Sequence, residues 1–314
     1  PRLHDGHLNR DIRNHLIVVR RDGGAIMIVD ENGDVSFRQS WLGNAENCPE
    51  NGRRQLNEPD NDRTTSDAFI GTAAHYGIEK VVEGLCAPED IGDAVVESYR
   101  TDPEAREIVF TRPKTHQADI AECIDLSTRC AEAWVRDIMP HAPLEGARTE
   151  VKFDVDLFEY HDRRVSIKGT CDLVPAEGPL WDWKTAGGSY RQKEKQKWAL
   201  QPTVYAVADA FGGFGRFNER MPAEFVYGVM IKLKKQCRGE MLTVQRTANH
   251  QALLFQTLKD WIDMYEGMGI DGASWPKHMD GNYLCSGMWC PFYSTCRGEH
   301  ITNDDDLYGW TPKK

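Results

Sequence analysis

Asp172, Asp182 and Lys184 are the residues whose types and spacing most directly suggest chemistry; they lie in the run GTCDLVPAEGPLWDWKT, residues 169–185. Asp172 stands near the end of a strand-like segment, RRVSIKGTCDLV, and a turn at 175–179 leads to a second short apolar segment, 180–184. Residues two apart on a strand share a face, so Asp182 and Lys184 project together. A turn that lays the two segments side by side brings Asp172 to them. Two carboxylates are hard oxygen ligands for a Mg²⁺ or Mn²⁺ ion that keeps most of its waters. Such an ion lowers the pKa of one water and offsets charge developing on a phosphodiester, while a neighbouring ammonium orients the attacking water. Alone, the triplet D-x-K carries little, because it arises by chance in most chains of this length.

The elements that must position these residues are readable from periodicity. Along 148–156 the chain alternates, with Val151, Phe153 and Val155 on one face and Glu150, Lys152 and Asp154 on the other. Glu150 could serve the metal as an outer carboxylate or a second-metal ligand, or it could face solvent as an ordinary strand residue. Cys171 should point away from Asp172, into packing, and 161–164 reads as a turn. Beyond Lys184, Gly187-Gly188 opens a turn into a helix from about residue 190. Gln201 and Tyr205 are four apart and therefore adjacent on a helix face. Pro202 disfavours a helical Gln201, which predicts a kink or a fresh helix start there. Strands over 225–234 and 240–246, with a turn at 237–239, and a helix over 250–268 complete this half.

Upstream, Thr64-Thr65-Ser66-Asp67 supplies cap chemistry for a helix to about residue 85. Ala68, Gly71, His75, Ile78, Val82 and Leu85 form one stripe, which points His75 inward. An inward histidine is either a satisfied core residue or a ligand. Helices over 88–100 and 116–139 follow; Cys123 and Cys130 share a face of the second, and with nothing nearby to complete a metal site they read as buried structural cysteines. Weak alternation at 16–20 and 25–30, with a turn at 30–34, suggests a hairpin within an N-terminal extension, 1–38.

Near the other end, Cys285, Cys290 and Cys296 place three thiols within twelve residues. In a reducing compartment that density favours a metal site over free core thiols. Cys48, which precedes Pro49, is the candidate fourth ligand. Zinc sites commonly use paired knuckles, whereas iron–sulfur clusters take four thiolates, and the spacing by itself leaves both open.

With 314 residues, 40% of them hydrophobic and 28% charged, the chain suits an ordinary globular fold of one large domain or two small ones. Net charge is −11, yet five basic residues against one acid occupy 184–197, and Lys232, Lys234, Lys235 and Arg238 form a second basic cluster. An acidic total therefore does not exclude DNA. No stretch reaches the roughly 18 apolar residues that span a bilayer, and no export signal is evident. Nine cysteines without such a signal point to a cytoplasmic location. No phosphate-binding G-x-x-x-x-G-K-[ST] loop is present, so the chain holds no helicase motor.

The combination of G-x-x-D ending at Asp172, D-W-K-T starting at Asp182 and Q-x-x-x-Y from Gln201 to Tyr205 resembles the PD-(D/E)XK nuclease superfamily. Within it, the sequence resembles the RecB/AddB-like branch, which includes the iron–sulfur exonucleases of CRISPR adaptation and phage relatives. The resemblance runs from Cys48 to Cys296. It implies an α/β fold with a mixed central sheet flanked by helices, a helical insertion and a four-cysteine iron–sulfur clasp. The nuclease domain would occupy 39–282, its helical part about 64–140 and its sheet core about 143–268, with 283–314 completing the clasp. By the same resemblance, Gly71-Thr-Ala-Ala-His75 matches a motif whose histidine binds metal. His75, Asp172, Asp182 and the Trp183 carbonyl would then hold Mg²⁺ or Mn²⁺, and Lys184 would act on the water. Gln201, Tyr205, Arg191 and Lys193 would hold DNA, and Cys48, Cys285, Cys290 and Cys296 would hold a [4Fe–4S] cluster. The interval Cys285-x₄-Cys290 departs from the family's C-x₂-C, while Cys290-x₅-Cys296 agrees with it. The activity implied is exonucleolytic cleavage of single strands or duplex ends, in recombination, repair or phage DNA processing, with a helicase or recombination protein as partner. The competing readings are a catalytically silent DNA-binding or assembly factor and a zinc-binding structural protein.

Overall fold

A computed structural model describes residues 27–30, 33–57, 64–108, 110, 119–216, 223–269, 275–277, 285, 290 and 292–298. The expected alternation at 16–20 and the start of the 116–139 helix lie outside the described residues.

A mixed seven-stranded sheet forms the centre, ordered β1-β2-β4-β5-β6-β7 with β3 pairing β4. Its longest pair is the antiparallel hairpin of β3 (Arg148–Tyr160) and β4 (Arg163–Val174). His161 (φ 51°) and Asp162 (φ 58°) both adopt the left-handed conformation that a two-residue hairpin turn requires. β3 outruns the expected strand because Phe158 and Tyr160 still find packing partners. β5 (Leu180–Ala186) runs antiparallel to β4 but keeps one ladder pair, Leu173 with Trp181. Thereafter the Asp172 carboxylate, rather than a carbonyl, takes the Trp183 N–H at 2.7 Å. β6 (Ala223–Ile231) lies parallel to β5, and β7 (Arg238–Arg246) closes that edge.

At the other end, residues expected to lie in a separate extension join the sheet. β1 (Met27–Val29) and β2 (Val35–Arg38) form a hairpin, and β2 pairs in parallel with β4. The physical reason is the alternation of Val35 and Phe37, which are buried in the main core.

Alternation along β5 and β6 divides the core into two layers. Leu180, Phe225, Tyr227, Val229 and Ile231 face one cluster; Trp181, Trp183, Val226 and Met230 face the other. The first layer packs α1 (Gln39–Asn47), α7 (Leu200–Ala210) and α8 (Ala248–Met268), around Trp41, Tyr205 and Trp261. The second packs α3 (Ser66–Val82), α4 (Ile91–Thr101) and α5 (Ile120–Asp137), around Phe69, Trp134 and Trp183. Between the layers lies the polar seam described below.

Packing corrects the expected α3 stripe, bears out the fresh helix start expected at Pro202, and adds two helices that were not foreseen. In α3 the buried stripe is Phe69, Ile70, Ala73, Ala74, Gly77, Ile78 and Val81, so Leu85 is left 70% exposed beyond the helix end. The stretch from residue 190 is two helices, α6 (Gln192–Trp198) and α7, and Pro202 sits in the first turn of α7, where its missing N–H costs nothing. The consecutive helices α1 and α2 (Pro49–Asn57) were not foreseen. Cys123 and Cys130 are buried as expected, and Cys130 meets Cys237, ahead of β7, with sulfurs 3.7 Å apart.

Candidate active site

The seam gathers His75 from α3, Glu150 from β3, Asp172 from β4 and Asp182 with Lys184 from β5. Thr65 caps α3, its side chain accepting the Ala68 N–H, and Gly71 lets the helix lie close to β5. A Cβ built on Gly71 would come within 3.1 Å of Thr185 Oγ1. One turn on, His75 Nδ1 is 3.5 Å from Asp172 Oδ2. Ligand atoms of His75, Glu150 and Asp172 all fall within 4.8 Å of one another. Glu150 belongs to this group because it has φ 47°, unlike its strand neighbours, and stands opposite Asp172 where the β3–β4 pairing is interrupted. Alternation alone could not have shown this backbone distortion, which turns a strand carboxylate toward His75 and Asp172.

Asp182 lies beside that trio rather than within it. Its Oδ2 contacts Lys184 Nζ, and its Oδ1 accepts from Gln201 Nε2 at 2.8 Å. Gln201 is also 3.1 Å from the Tyr205 hydroxyl, which donates to the Thr170 carbonyl at 2.6 Å. Tyr205 is 2% exposed. Gln201 and Tyr205, expected to hold DNA, are here turned toward the sheet, Gln201 bonded to Asp182 and Tyr205 to Gln201 and the Thr170 carbonyl. Arg191 is paired with Glu194 at 3.0 Å, and Lys193 stands in solvent on α6. Neither is brought to the acids; the α6 cation that faces the site is Lys195, which sequence reasoning did not single out.

Electrostatics fit a site made for a cation. Burial, reinforced by Asp172 and Glu79, pushes Glu150 up to about 8. Burial and the Asp172 charge raise Asp182 to about 6, and burial raises Asp172. Burial and the Lys184 charge depress His75 to about 4, against a contact with the Trp183 backbone, so near neutrality its imidazole keeps a free lone pair. Although burial disfavours its charge, Lys184 is held firmly protonated by Asp182 and Asp172. Crowded carboxylates and a neutral imidazole are hard-oxygen and nitrogen donors suited to a divalent ion.

A second constellation lies at the start of α2. Cys48, Cys285, Cys290 and Cys296 line one cavity with Asn51, Phe292 and Tyr293. Burial raises the Cys290 thiol to about 11, and the three other sulfurs push it the same way. Glu50 and Arg54 anchor this region. Glu50 accepts the Trp275 N–H at 2.9 Å and the Arg54 Nε–H at 2.7 Å, while Arg54 Nη1 donates to Thr295 Oγ1 at 3.0 Å. α9 (Tyr293–Gly298) then presents Cys296. This buried acid–arginine anchor was missed; its only trace in the sequence is the E-x-x-R-R run beside Cys48.

Among the described residues, no helix is long and apolar enough to cross a membrane. A search of curated proteins returns no match. A crystal structure described as "Putative exonuclease" from Eubacterium rectale is 13% identical, with a TM-score of 0.50 over 87% of this chain and 93% of that one, a likeness of fold alone. The crystal structure of SSO0001 is 10% identical, covering 76% and 88% of the two chains, but its TM-score of 0.31 carries no argument. The sequence profile described as "PD-(D/E)XK nuclease superfamily" matches residues 50–297, which span the acids, the lysine and the imidazole, and the chain therefore belongs to that superfamily.

Proposed function

We propose that the chain is a Mg²⁺- or Mn²⁺-dependent deoxyribonuclease of the RecB/AddB-like branch that degrades single strands or duplex ends. The observation that carries this reading is the meeting of Lys184 and Asp182 beside the His75–Asp172 pair, from three separate elements. His75, Asp172 and Glu150 would hold the ion, with Asp182 and the Trp183 carbonyl completing the set. Once bound, the ion would acidify a water and neutralise charge on the phosphodiester. Asp172 is oriented by the Trp183 N–H, and Asp182 by Gln201. Because Lys184 is held protonated, it donates hydrogen bonds to the attacking water or the phosphate rather than removing a proton.

The four thiols fit a [4Fe–4S] cluster by donor type and number, since four sulfurs crowded round one cavity need a cation to hold them as thiolates. The proposed division is a nuclease domain over 39–282, with 283–314 and Cys48 forming the clasp. Recombination, repair or phage DNA processing, alongside a helicase or recombination partner, is the proposed setting.

The test is digestion of end-labelled DNA with Mn²⁺ by the wild type and Lys184→Ala. Cleavage by the wild type and none by the variant is expected. DNA binding without cleavage under either metal would favour the silent assembly factor instead. For the cluster, anaerobically purified protein should be brown and contain iron; zinc in its place would overturn that part.

A further inference from the structure

The helix that carries Lys195 is seven residues long, too short to persist unaided. It is nevertheless pinned to β7. Gln192 Nε2 donates to the Thr243 carbonyl at 2.7 Å. Gln196 Nε2 donates to the Gln245 carbonyl at 2.8 Å, and the Gln245 N–H returns to Gln196 Oε1 at 3.0 Å. Arg246 is 0% exposed, and it donates to the carbonyls of Lys195 (2.9 Å), Gln196 (3.3 Å) and Ala199 (2.8 Å), the open end of α6. Burying a guanidinium on carbonyl acceptors alone is costly, so this arrangement fixes α6 firmly.

What it fixes is the direction of one amino group. Lys195 Nζ lies 3.9 Å from the ring centre of Tyr190 and 5.6 Å from that of Tyr227. The two rings meet edge to face at 5.6 Å. Tyr227 is the β6 register partner of Asp182 and so shares its face of the sheet. Lys195 therefore stands about one ring away from the Asp182–Lys184 pair. It feels both: burial and the Lys184 charge lower its pKa, while Asp182 opposes them. Among the described residues no carboxylate lies within ion-pair distance of it. An ammonium resting on two rings, unpaired and held beside the reacting groups, is available to an anion.

We propose that Lys195 is a substrate-binding residue whose ammonium takes the phosphate next to the scissile one, with Tyr190 and Tyr227 as the wall that aims it. This rests on the nuclease reading above. Strand recognition at the site then comes from a cation on α6 rather than from Gln201 and Tyr205, which are occupied with Asp182.

The test uses the full chain with a labelled single-stranded oligonucleotide. It measures Mn²⁺-dependent kcat and KM and, by fluorescence anisotropy without divalent ion, binding across a salt series. Lys195→Met keeps the apolar stem over the rings and removes the charge; Lys195→Arg keeps the charge. Lys195→Met should raise KM and Kd roughly tenfold, flatten the log Kd against log salt slope by about 0.7, and leave kcat within about twofold. Lys195→Arg should restore affinity and slope. Unchanged affinity and slope in a folded Lys195→Met overturn the proposal, as does a fall in kcat alone. A matched loss of melting temperature in both variants, without a change in slope, would show a merely structural cation. Cleavage that depends on Lys184 but ignores Lys195 sinks this proposal and leaves the nuclease reading standing. A wild type that binds DNA without cleaving it sinks the nuclease reading, while the anisotropy arm still decides this one; a wild type that neither binds nor cleaves sinks both.

Discussion

At the carboxylate site the two aspartates are steadied by neighbours: Asp172 by the Trp183 N–H, Asp182 by Lys184 on its own strand and by Gln201, and Gln201 in turn by Tyr205. At the thiol site the support lies around the sulfurs, in the buried Glu50–Arg54 anchor and its bonds to Trp275 and Thr295. The first site is a preorganised extension of a sheet. The second joins segments more than two hundred positions apart in sequence, through few main-chain bonds. Closing so long a loop is entropically costly, so an ion there would contribute folding energy, whereas an ion among the acids would mainly contribute chemistry.

Five measurements would break or sharpen that contrast. The largest effect is expected for Cys290→Ala: loss of the proposed cluster would remove up to about 10 kcal/mol of apparent folding energy, read as loss of iron together with insolubility or a collapsed melting temperature. Retained metal and normal melting would erase the distinction between the sites. Lys184→Ala should lower kcat by about 10²–10⁴, and because it leaves the buried Asp182 carboxylate without its cation it should lower the melting temperature as well. Glu50→Ala touches no sulfur, yet it takes the Glu50 carboxylate from the buried Arg54 and the half-buried Arg53 and should cost about 3 kcal/mol, or roughly 6–12 °C at the usual sensitivity of a chain this size. Normal iron and melting in that variant would show that the sulfurs need no anchor.

Tyr205→Phe removes the donor to the Thr170 carbonyl and one partner of Gln201. About 1–2 kcal/mol of stability should be lost, and kcat should fall about tenfold through a less constrained Asp182, with DNA affinity unchanged. Reduced affinity instead would return Tyr205 to the strand-binding role expected from the sequence.

The smallest effect is a pH dependence of the metal-free protein. Burial and the nearby acids push Glu150 up to about 8 when folded, so from its ordinary value near 4.5 up to about pH 8 the folded state holds a proton that the unfolded state has released. Stability therefore falls as pH rises toward 8. His75, depressed to about 4, acts in the opposite sense, but only below its ordinary value of 6.5. The expected loss between pH 6.5 and 8.5 is about 1–2 °C, because Glu150 also reaches solvent. Mn²⁺ or Glu150→Gln should flatten it, and a rise in melting temperature over that range would contradict the assignment of Glu150.

Much of the site was legible because its central residues are near one another in sequence. Asp182 and Lys184 needed only strand alternation, and Asp172 needed only a turn. His75 needed the family motif as well, since an inward histidine alone has two readings. Glu150 was not separable from solvent-facing Lys152 and Asp154, because the left-handed backbone that sets it apart depends on the β3–β4 pairing. The hairpin about the 30–34 turn was expected, but its joining the main sheet was not, because the β2–β4 pairing links residues some 130 positions apart. Lys195 could not be told from Lys193, since its direction is set by Arg246, some fifty positions away. Cys237 offered no sign that it would meet Cys130.

The glycine at position 71 has a consequence of its own. With Thr185 Oγ1 only 3.1 Å from where a methyl would sit, that methyl would act as a shim between α3 and β5. Gly71→Ala must be absorbed by a few tenths of an ångström, either in the Thr185 rotamer or in the helix that bears the imidazole. One small substitution, a single helical turn from His75, would thus tune the aperture between the imidazole and the acids, and with it the radius of cation that the proposed site would grip best.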